Sequence, residues 1–213
     1  MGCVFNEYEK IMKIKPVILV GGKSRRFGSD KFFLTINGKL IFERTYRILK
    51  DVFQEEPVFI GRQAPIGNYE FLEDLIPNLG PLGGLYTALK VFDVDFVFLT
   101  ACDMPFINKE VLKYMRESLD YEAKVCVPKL ENGYIEPLFA FYSKKLLPKI
   151  EKNIDVCDLK LRSLLDFDVQ FFDPNKIRNI DPELLTFLNI NTKNDFDKIC
   201  KILEDEKVQD FAV

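Results

Sequence analysis

A dense group of cationic side chains follows a pair of glycines near the start of the chain. Lys23, Arg25, Arg26 and Lys31 lie within the nine residues after Gly22. Glycine lets the backbone approach a ligand closely, and Lys and Arg donate strong charge-assisted hydrogen bonds to phosphate oxygens. The spacing therefore predicts a phosphate-binding loop. Its charge suits a triphosphate, which carries about −4 before a metal binds.

Two common nucleotide-binding motifs do not fit this loop. A Walker A loop, GxxxxGK[ST], would end on Gly22-Lys23-Ser24, but its first glycine would fall at Val17. The dinucleotide fingerprint GxGxxG fails because Lys23 stands at its second glycine. The loop follows the apolar run Ile14–Val20, which is typical of a strand buried on both faces.

A single carboxylate follows the second apolar run of this kind. Asp103 lies in Cys102-Asp103-Met104-Pro105, directly after the strand pattern Asp95–Ala101. A carboxylate at the tip of a central strand is well placed to hold Mg²⁺ against phosphates, although turn and helix-cap aspartates are also common. Ligands of α/β sheets bind at the carboxyl ends of strands, so Asp103, the Gly21-Gly22 loop and the Gly80–Gly84 loop are candidate site segments.

Composition excludes several classes of chemistry and of partner. The 213 residues contain no histidine, which removes His-based triads, dyads and zinc motifs. With 30 Lys and Arg against 33 Asp and Glu, the net charge is −3, so a general nucleic-acid binder is not expected. The cysteines are five, widely spaced and without a CxxC, which favours a reducing cytoplasm. No apolar run is long enough for a membrane helix.

The elements that must position these residues alternate between strand and helix patterns. This alternation predicts an α/β domain with a mostly parallel sheet over residues 13–204, with 1–12 as an extension and 205–213 as a tail. Ile41–Phe53 has helical spacing, and Asn108 is a candidate cap for another helix. We also expect a late strand at Phe187–Ile190.

The ordered motifs resemble those of molybdenum cofactor guanylyltransferases, members of the nucleotidyltransferase superfamily. The string Leu19–Lys31 resembles LAGGxSxRMGxDK, with Val20 for Ala and Phe27 for Met. Further matches run along the chain from Lys13 to Leu203: GPLxG at Gly80–Gly84, CDxP at Cys102–Pro105, PLFALY at Pro137–Tyr142 after Glu136, and FxNxNTPxD at Phe187–Asp195 with Lys193 in place of Pro.

The resemblance implies a fold and a reaction. The fold would be a single-domain, Rossmann-like, GT-A-type three-layer sandwich. The reaction would transfer GMP from GTP to the terminal phosphate of molybdopterin and release pyrophosphate, with Mg²⁺ as cofactor. GTP and molybdopterin would be the substrates, with transient contacts to proteins that deliver or accept the cofactor. No nucleic acid or membrane partner is expected.

The resemblance and the reaction that it implies also suggest roles for residues of this chain. Arg25 or Arg26 would neutralise the leaving pyrophosphate, Lys31 the α-phosphate charge, and Asp103 would hold the metal. Asp74 would lie in the guanine site, and Asn189 or Asn191 would complete the metal or phosphate shell. The full set of expected binding residues is Leu19, Val20, Gly21, Gly22, Ser24, Lys31, Asp74, Gly80, Gly84, Asp103, Asn189 and Asn191.

Other functions stay open at this point. A cytidylyltransferase of the same pterin usually reads Ala-Gly in the first loop and lacks GPLxG, whereas this chain has Gly21-Gly22 and Gly80-Pro81-Leu82. A sugar-phosphate nucleotidyltransferase is a more distant relative. A catalytically silent nucleotide-binding partner is a further alternative, against which Lys31 and Asp103 speak. One departure from the family is Gly61-Arg62, where an Asn near the nucleotide is usual.

Overall fold

A seven-stranded sheet forms the centre of the fold. The computed structural model describes residues 12–21, 34–36, 39–61, 67–166 and 168–205. The strands of the central sheet and of a small two-stranded sheet are β1 (Ile14–Leu19), β2 (Thr35–Ile36), β3 (Lys39–Leu40), β4 (Val58–Ile60), β5 (Phe71–Leu72), β6 (Phe96–Ala101), β7 (Val125–Pro128), β8 (Phe139–Ser143) and β9 (Val169–Phe172). The α-helices are α1 (Ile41–Phe53), α2 (Pro81–Val91), α3 (Lys109–Glu117), α4 (Leu147–Asp155), α5 (Pro174–Ile180) and α6 (Lys193–Asp205).

The strand order in the central sheet is β5-β4-β1-β6-β8-β7-β9. Strands β5, β4, β1 and β6 pair in parallel, as do β7 and β9, while β8 runs antiparallel to both of its neighbours. The predicted mostly parallel sheet is therefore confirmed. Its consequence for function is that β5, β4, β1 and β6 all end at the same edge.

Helices cover both faces of this sheet, which makes three layers. On one face, Phe42 and Leu49 of α1 and Met115 of α3 pack in a core with Ile18 and Phe98 of the sheet. Successive strand residues point to opposite faces. On the other face, α2 and α4 therefore pack against a second set of strand residues, which includes Val17, Ile60 and Leu99. Burial on both faces explains why β1 and β6 read as continuous apolar runs.

Two predicted helix signals are confirmed. Helix α1 covers Ile41–Phe53, as the apolar spacing predicts. Asn108 caps α3, since its side-chain oxygen accepts from the N–H of Glu110 at 2.8 Å and of Val111 at 3.3 Å. No helix in the described part of the chain is long and apolar enough to cross a membrane.

Two sequence expectations about the C-terminal half need correction. The strand expected at Phe187–Ile190 is wrong: a 3₁₀ turn ends at Phe187, and the chain then runs beside β6 without joining the sheet. Its apolar residues are buried by tertiary packing instead, Phe187 edge-on against Phe139 and Ile190 in a cluster with Ile41. Helix α5 was not expected, although it begins with an Asp-Pro start signal, in which Asp173 accepts from the N–H of Asn175 at 2.9 Å.

The ends of the chain are only partly described. The expected extension 1–12 and tail 205–213 lie outside the described residues except for Met12 and Asp205. These boundaries therefore stay predictions.

Candidate active site

The residues that follow β1, β4, β5 and β6 are held together beyond the regular sheet. The N–H of Val20 donates to Ile60 O at 2.9 Å, and the N–H of Gly61 donates to Leu72 O at 3.0 Å. On the other side of β1, the N–H of Cys102 donates to Leu19 O at 3.1 Å. These bonds extend the ladders past the strand ends. They bring the segments that carry Gly21, Asp74 and Asp103 to one edge.

Asp74 lies after β5 in a space bounded by three glycines. A Cβ atom on Gly83 or Gly84 would be 3.7 Å from Asp74 Oδ1, and one on Gly61 would be 3.7 Å from Oδ2. Oδ1 is buried and has no hydrogen-bond partner in the described part of the chain. Burial raises the pKa of the Asp74 carboxyl, because the charged form loses hydration. An acceptor in this state favours a ligand that supplies hydrogen-bond donors.

The first turn of α2 supports this carboxyl from one side. Gly80 precedes the helix, and its oxygen accepts from the N–H of Gly83 at 2.9 Å. Thr87 is buried, and its hydroxyl accepts from the N–H of Leu75 at 2.9 Å while donating to Gly83 O. The loop after Asp74 is thus tied to the helix. The positive end of the helix dipole favours an anion at this point.

Backbone geometry requires glycine at Gly61, and close packing favours it at Gly84. Gly61 has φ +116°, and a Cβ there would approach Val20 O to 2.7 Å. A Cβ on Gly84 would lie 2.4 Å from Leu19 Cδ2, so the end of the Leu19 side chain would have to move. Residue 61 can thus contribute no side chain to a bound base without a shift of the backbone.

The Asp103 turn is anchored on both sides. Met104 behind it is fully buried, and Met104 O accepts from the hydroxyl of Thr45 at 3.3 Å. Asp103 O accepts from the N–H of Ile190 at 3.0 Å, so the segment with Asn189 and Asn191 runs beside the end of β6. The turn can therefore hold the half-buried Asp103 carboxyl in one place.

The two candidate asparagines differ in their surroundings. Asn189 Nδ2 donates to Glu136 Oε2 at 3.3 Å, and Asn189 Oδ1 is buried without a hydrogen-bond partner among the described residues. Asn191 is exposed, and its N–H donates to Asp195 Oδ2 at 3.1 Å. Thr192 bonds Asp195 through both its N–H and its hydroxyl, which lowers the pKa of Asp195 and builds the start of α6. Of the two asparagines, Asn189 is the one with an unused buried acceptor.

The donor set fits Mg²⁺ bound mainly through a substrate. Within the described ranges there is no group of three or more Cys, Asp or Glu that could hold a metal without help. Mg²⁺ is commonly bound by one or two protein carboxylates together with substrate phosphates and water. Asp103 supplies such a carboxylate, and the oxygen of Asn189 is a neutral hard donor of the same preference.

The structure accounts for part of the residue set expected from sequence. The side chain of Val20 is in the core, and that of Leu19 packs against α2, so backbone atoms are what these residues and the exposed Gly21 can offer a ligand. The expected residues Gly22, Ser24, Arg25, Arg26 and Lys31 lie outside the described residues.

Three residues border the site although the expected binding set does not include them. Gly61 and Gly83 border the space of Asp74, and Glu136 accepts a hydrogen bond from Asn189. The signals were a glycine ending the β4 pattern, a second glycine beside Gly84, and an acid directly before an apolar strand motif.

Comparison with known proteins gives concordant matches over most of the chain. The model of a MobA-like NTP transferase domain matches residues 16–171. The molybdenum cofactor guanylyltransferase of Syntrophotalea carbinolica is 35% identical over 189 residues, 85% of this chain and 88% of that protein. The probable molybdenum cofactor guanylyltransferase of Aquifex aeolicus is 37% identical over 192 residues, 87% of this chain and 89% of that protein.

A solved structure shares the fold. It is the molybdopterin-guanine dinucleotide biosynthesis protein A from Archaeoglobus fulgidus, with a TM-score of 0.77 and 29% identity. The match covers 90% of this chain and 100% of that one.

Proposed function

The chain belongs to the MobA-like NTP transferase family, and from that premise we propose that it is a molybdenum cofactor guanylyltransferase. It transfers GMP from GTP to the terminal phosphate of molybdopterin or the molybdenum cofactor. The products are the guanine dinucleotide form of the cofactor and pyrophosphate.

The observation that carries the choice of nucleotide is Oδ1 of the half-buried Asp74, which is buried and has no hydrogen-bond partner in the described part of the chain. Guanine presents two adjacent donors, N1–H and the 2-amino group, and a carboxylate accepts two parallel hydrogen bonds. Cytosine presents only one exocyclic donor group, beside an acceptor. The glycine-lined space around Asp74 gives a flat base access to the backbone.

Catalysis here depends on position and charge more than on a strong base. The attacking phosphate of the pterin is already anionic at neutral pH, so a chain without histidine loses nothing by that absence. Displacement at the α-phosphorus needs the two substrates aligned and their charges neutralised. We assign backbone groups of Gly21 and Gly22 to the β and γ phosphates, with Arg25 or Arg26 on the leaving pyrophosphate and Lys31 on the α-phosphate.

Asp103 is the proposed ligand of Mg²⁺, and Asn189 or Asn191 completes the metal or phosphate shell. Bound Mg²⁺ would neutralise negative charge on the α and β phosphates and so ease departure of pyrophosphate. The anchored turn around Asp103 would place the positive charge of the metal at the end of β6, next to β1.

The reaction takes place, we infer, in the cytoplasm, where the thiols of Cys126 and Cys157 stay reduced. Molybdopterin is labile, so transient contacts with proteins that deliver and accept it are part of the proposal.

The test is turnover with purified protein, molybdopterin, Mg²⁺ and each of GTP, CTP and ATP. We expect pyrophosphate release and the pterin dinucleotide with GTP only. Equal or faster turnover with CTP would instead assign the chain to the cytidylyltransferases. Nucleotide binding with no turnover would identify a catalytically silent partner protein.

A further inference from the structure

Glu136 is a buried acidic residue next to the candidate site. The proposed reaction gives it no role. Its side chain is only 3% exposed, and it accepts hydrogen bonds from three donors. Oε1 accepts from the N–H of Leu138 at 3.0 Å, and Oε2 accepts from the hydroxyl of Tyr134 at 2.7 Å and from Asn189 Nδ2 at 3.3 Å. These donors offset the cost of burying a carboxylate.

The segment that carries Glu136 is held in place from several sides. The hydroxyl of the fully buried Tyr142 donates to Pro137 O at 2.7 Å, and the guanidinium of Arg162 donates to Ile135 O at 3.0 Å. Burial, assisted by the bond to Glu136, raises the pKa of Tyr134 to about 12, so its hydroxyl remains a donor at neutral pH. Glu136 is therefore a fixed acceptor with few alternative positions.

This acceptor determines which way the amide of Asn189 is turned. An ionised carboxylate can only accept hydrogen bonds, whereas an amide has one donating and one accepting end. The donating end, Nδ2, must face Glu136, and Oδ1 is then turned away from it. Oδ1 is buried and has no hydrogen-bond partner among the residues described. It is therefore available to an electropositive group.

That oxygen belongs to the segment beside the metal candidate. Asn189 directly precedes Ile190, whose N–H donates to Asp103 O at 3.0 Å. We propose that Glu136 is a positioning residue that sets the amide of Asn189 so that its carbonyl oxygen binds an electropositive group of the substrate complex. Given the proposed function, that group is the divalent cation on the phosphates or an N–H donor of the pterin.

Replacement of Glu136 by Gln is expected to reverse the amide. The N–H of Leu138 still needs an acceptor, so Oε1 of the glutamine stays there and its NH₂ group takes the place of Oε2. The Tyr134 hydroxyl can turn and accept, but Nδ2 of Asn189 cannot. The amide must then rotate to accept from the glutamine, and it presents NH₂ where the wild type presents oxygen.

A second substitution restores the oxygen. When Asn189→Asp is added to Glu136→Gln, the new carboxylate can accept from the glutamine NH₂ group and present its other oxygen to the ligand. In the wild-type background the same Asn189→Asp change places two carboxylates against each other. Each single variant is thus expected to be impaired, and the double variant E136Q/N189D is expected to recover. Tyr134→Phe is the matched control, because it removes a bond to Oε2 without changing the amide's orientation.

The first experiment measures GTP and Mn²⁺ binding by calorimetry and the KM for molybdopterin in these variants. We expect E136Q to weaken one of these by about 10-fold or more, Y134F to stay within about twofold of wild type, and E136Q/N189D to return most of the loss. Loss of Mn²⁺ affinity would identify the cation as the partner, and a raised KM for molybdopterin with normal GTP and Mn²⁺ binding would identify the pterin. E136Q equal to wild type in GTP affinity, Mn²⁺ affinity and KM for molybdopterin, or a double variant no better than E136Q, would overturn the proposal.

The second experiment does not need turnover or even a folded E136Q variant. Side-chain amide resonances are recorded with ¹⁵N-labelled asparagine, and Asn189 is assigned by its loss in N189D. We expect the Asn189 NH₂ protons to exchange slowly with solvent in the wild type and in Y134F. Exchange as fast as that of an exposed asparagine would contradict the proposal even if the protein is an active guanylyltransferase. Slow exchange in an inactive protein would refute the proposed function alone.

Discussion

The buried Oδ1 atom of Asp74 lies 3.7 Å from the position that a Cβ atom would occupy on Gly84. The carboxyl after β5 and the first turn of α2 thus share one small space. A Cβ at residue 84 would displace the end of the Leu19 side chain. The motif Gly80–Gly84 therefore does two things: it starts a helix, and it leaves room beside an acid for a flat ligand.

Gly84→Ala is expected to destabilise the protein by no more than about 1 kcal/mol, because its Cβ would lie 2.4 Å from Leu19 Cδ2 and the end of that side chain must move, while alanine favours the helix more than glycine does. Urea unfolding measures the effect. The control is the double variant with Leu19→Ala, which removes the clashing atoms, so the two substitutions should cost less together than the sum of the separate costs. If the changes in unfolding free energy of the two single variants simply add in the double variant, contact with Leu19 is not what disfavours a side chain at residue 84.

Asp103→Asn keeps the size of the side chain and removes its charge. We expect GMP transfer to fall by about 100-fold or more, since the electrostatic term at the reacting phosphates is lost. The melting temperature should stay close to that of wild type, because the turn is anchored by backbone bonds to Leu19 and Ile190. Near-normal turnover with Mg²⁺ would remove Asp103 from the metal role.

Asn108→Ala tests a helix cap that has no role in the proposed reaction. The side chain accepts from two N–H groups of the first turn of α3, so its loss should cost about 1 kcal/mol of unfolding free energy. Asn108→Asp retains an acceptor at the cap and is expected to restore most of that stability. GTP binding should be unchanged in both variants, and a marked loss in either would mean that α3 contributes to the site.

The pH dependence of stability should carry a signature of Asp74. Burial raises its pKa in the folded state above the ordinary value of 3.8, so folding is penalised when the carboxyl is ionised. The penalty is complete above the folded-state pKa and disappears as the pH falls toward 3.8. Asp74→Asn should therefore be more stable than wild type at neutral pH, with a difference that shrinks in acid. A difference that grows in acid would contradict a raised pKa.

The sequence predicted those parts of the fold that are encoded by local patterns. Strands β1 and β6 read as apolar runs because both of their faces are covered, and α1 shows the spacing of a half-buried helix. The strand predicted at Phe187–Ile190 was wrong because apolar residues of this segment pack against Ile41 and Phe139 from outside the sheet. Periodicity cannot distinguish that burial from strand pairing.

The candidate site was predictable as a set of motifs but not as a geometry. Motif resemblance predicted Asp74, Gly84 and one of Asn189 and Asn191 as site residues. The approach of Gly61 to Asp74 and the bond from Asn189 to Glu136 join residues far apart in the chain. Such contacts follow from strand order and register, which one sequence does not specify.

The most direct test of the account is base selectivity in the wild type and in Asp74→Asn. Affinities for GTP, for ITP, which lacks the 2-amino group, and for CTP are measured by calorimetry with Mg²⁺. The account predicts that wild type binds GTP most tightly and that Asp74→Asn loses about 10- to 100-fold in GTP affinity and most of its preference for GTP over ITP. An unchanged GTP preference in the variant would contradict recognition of guanine by Asp74.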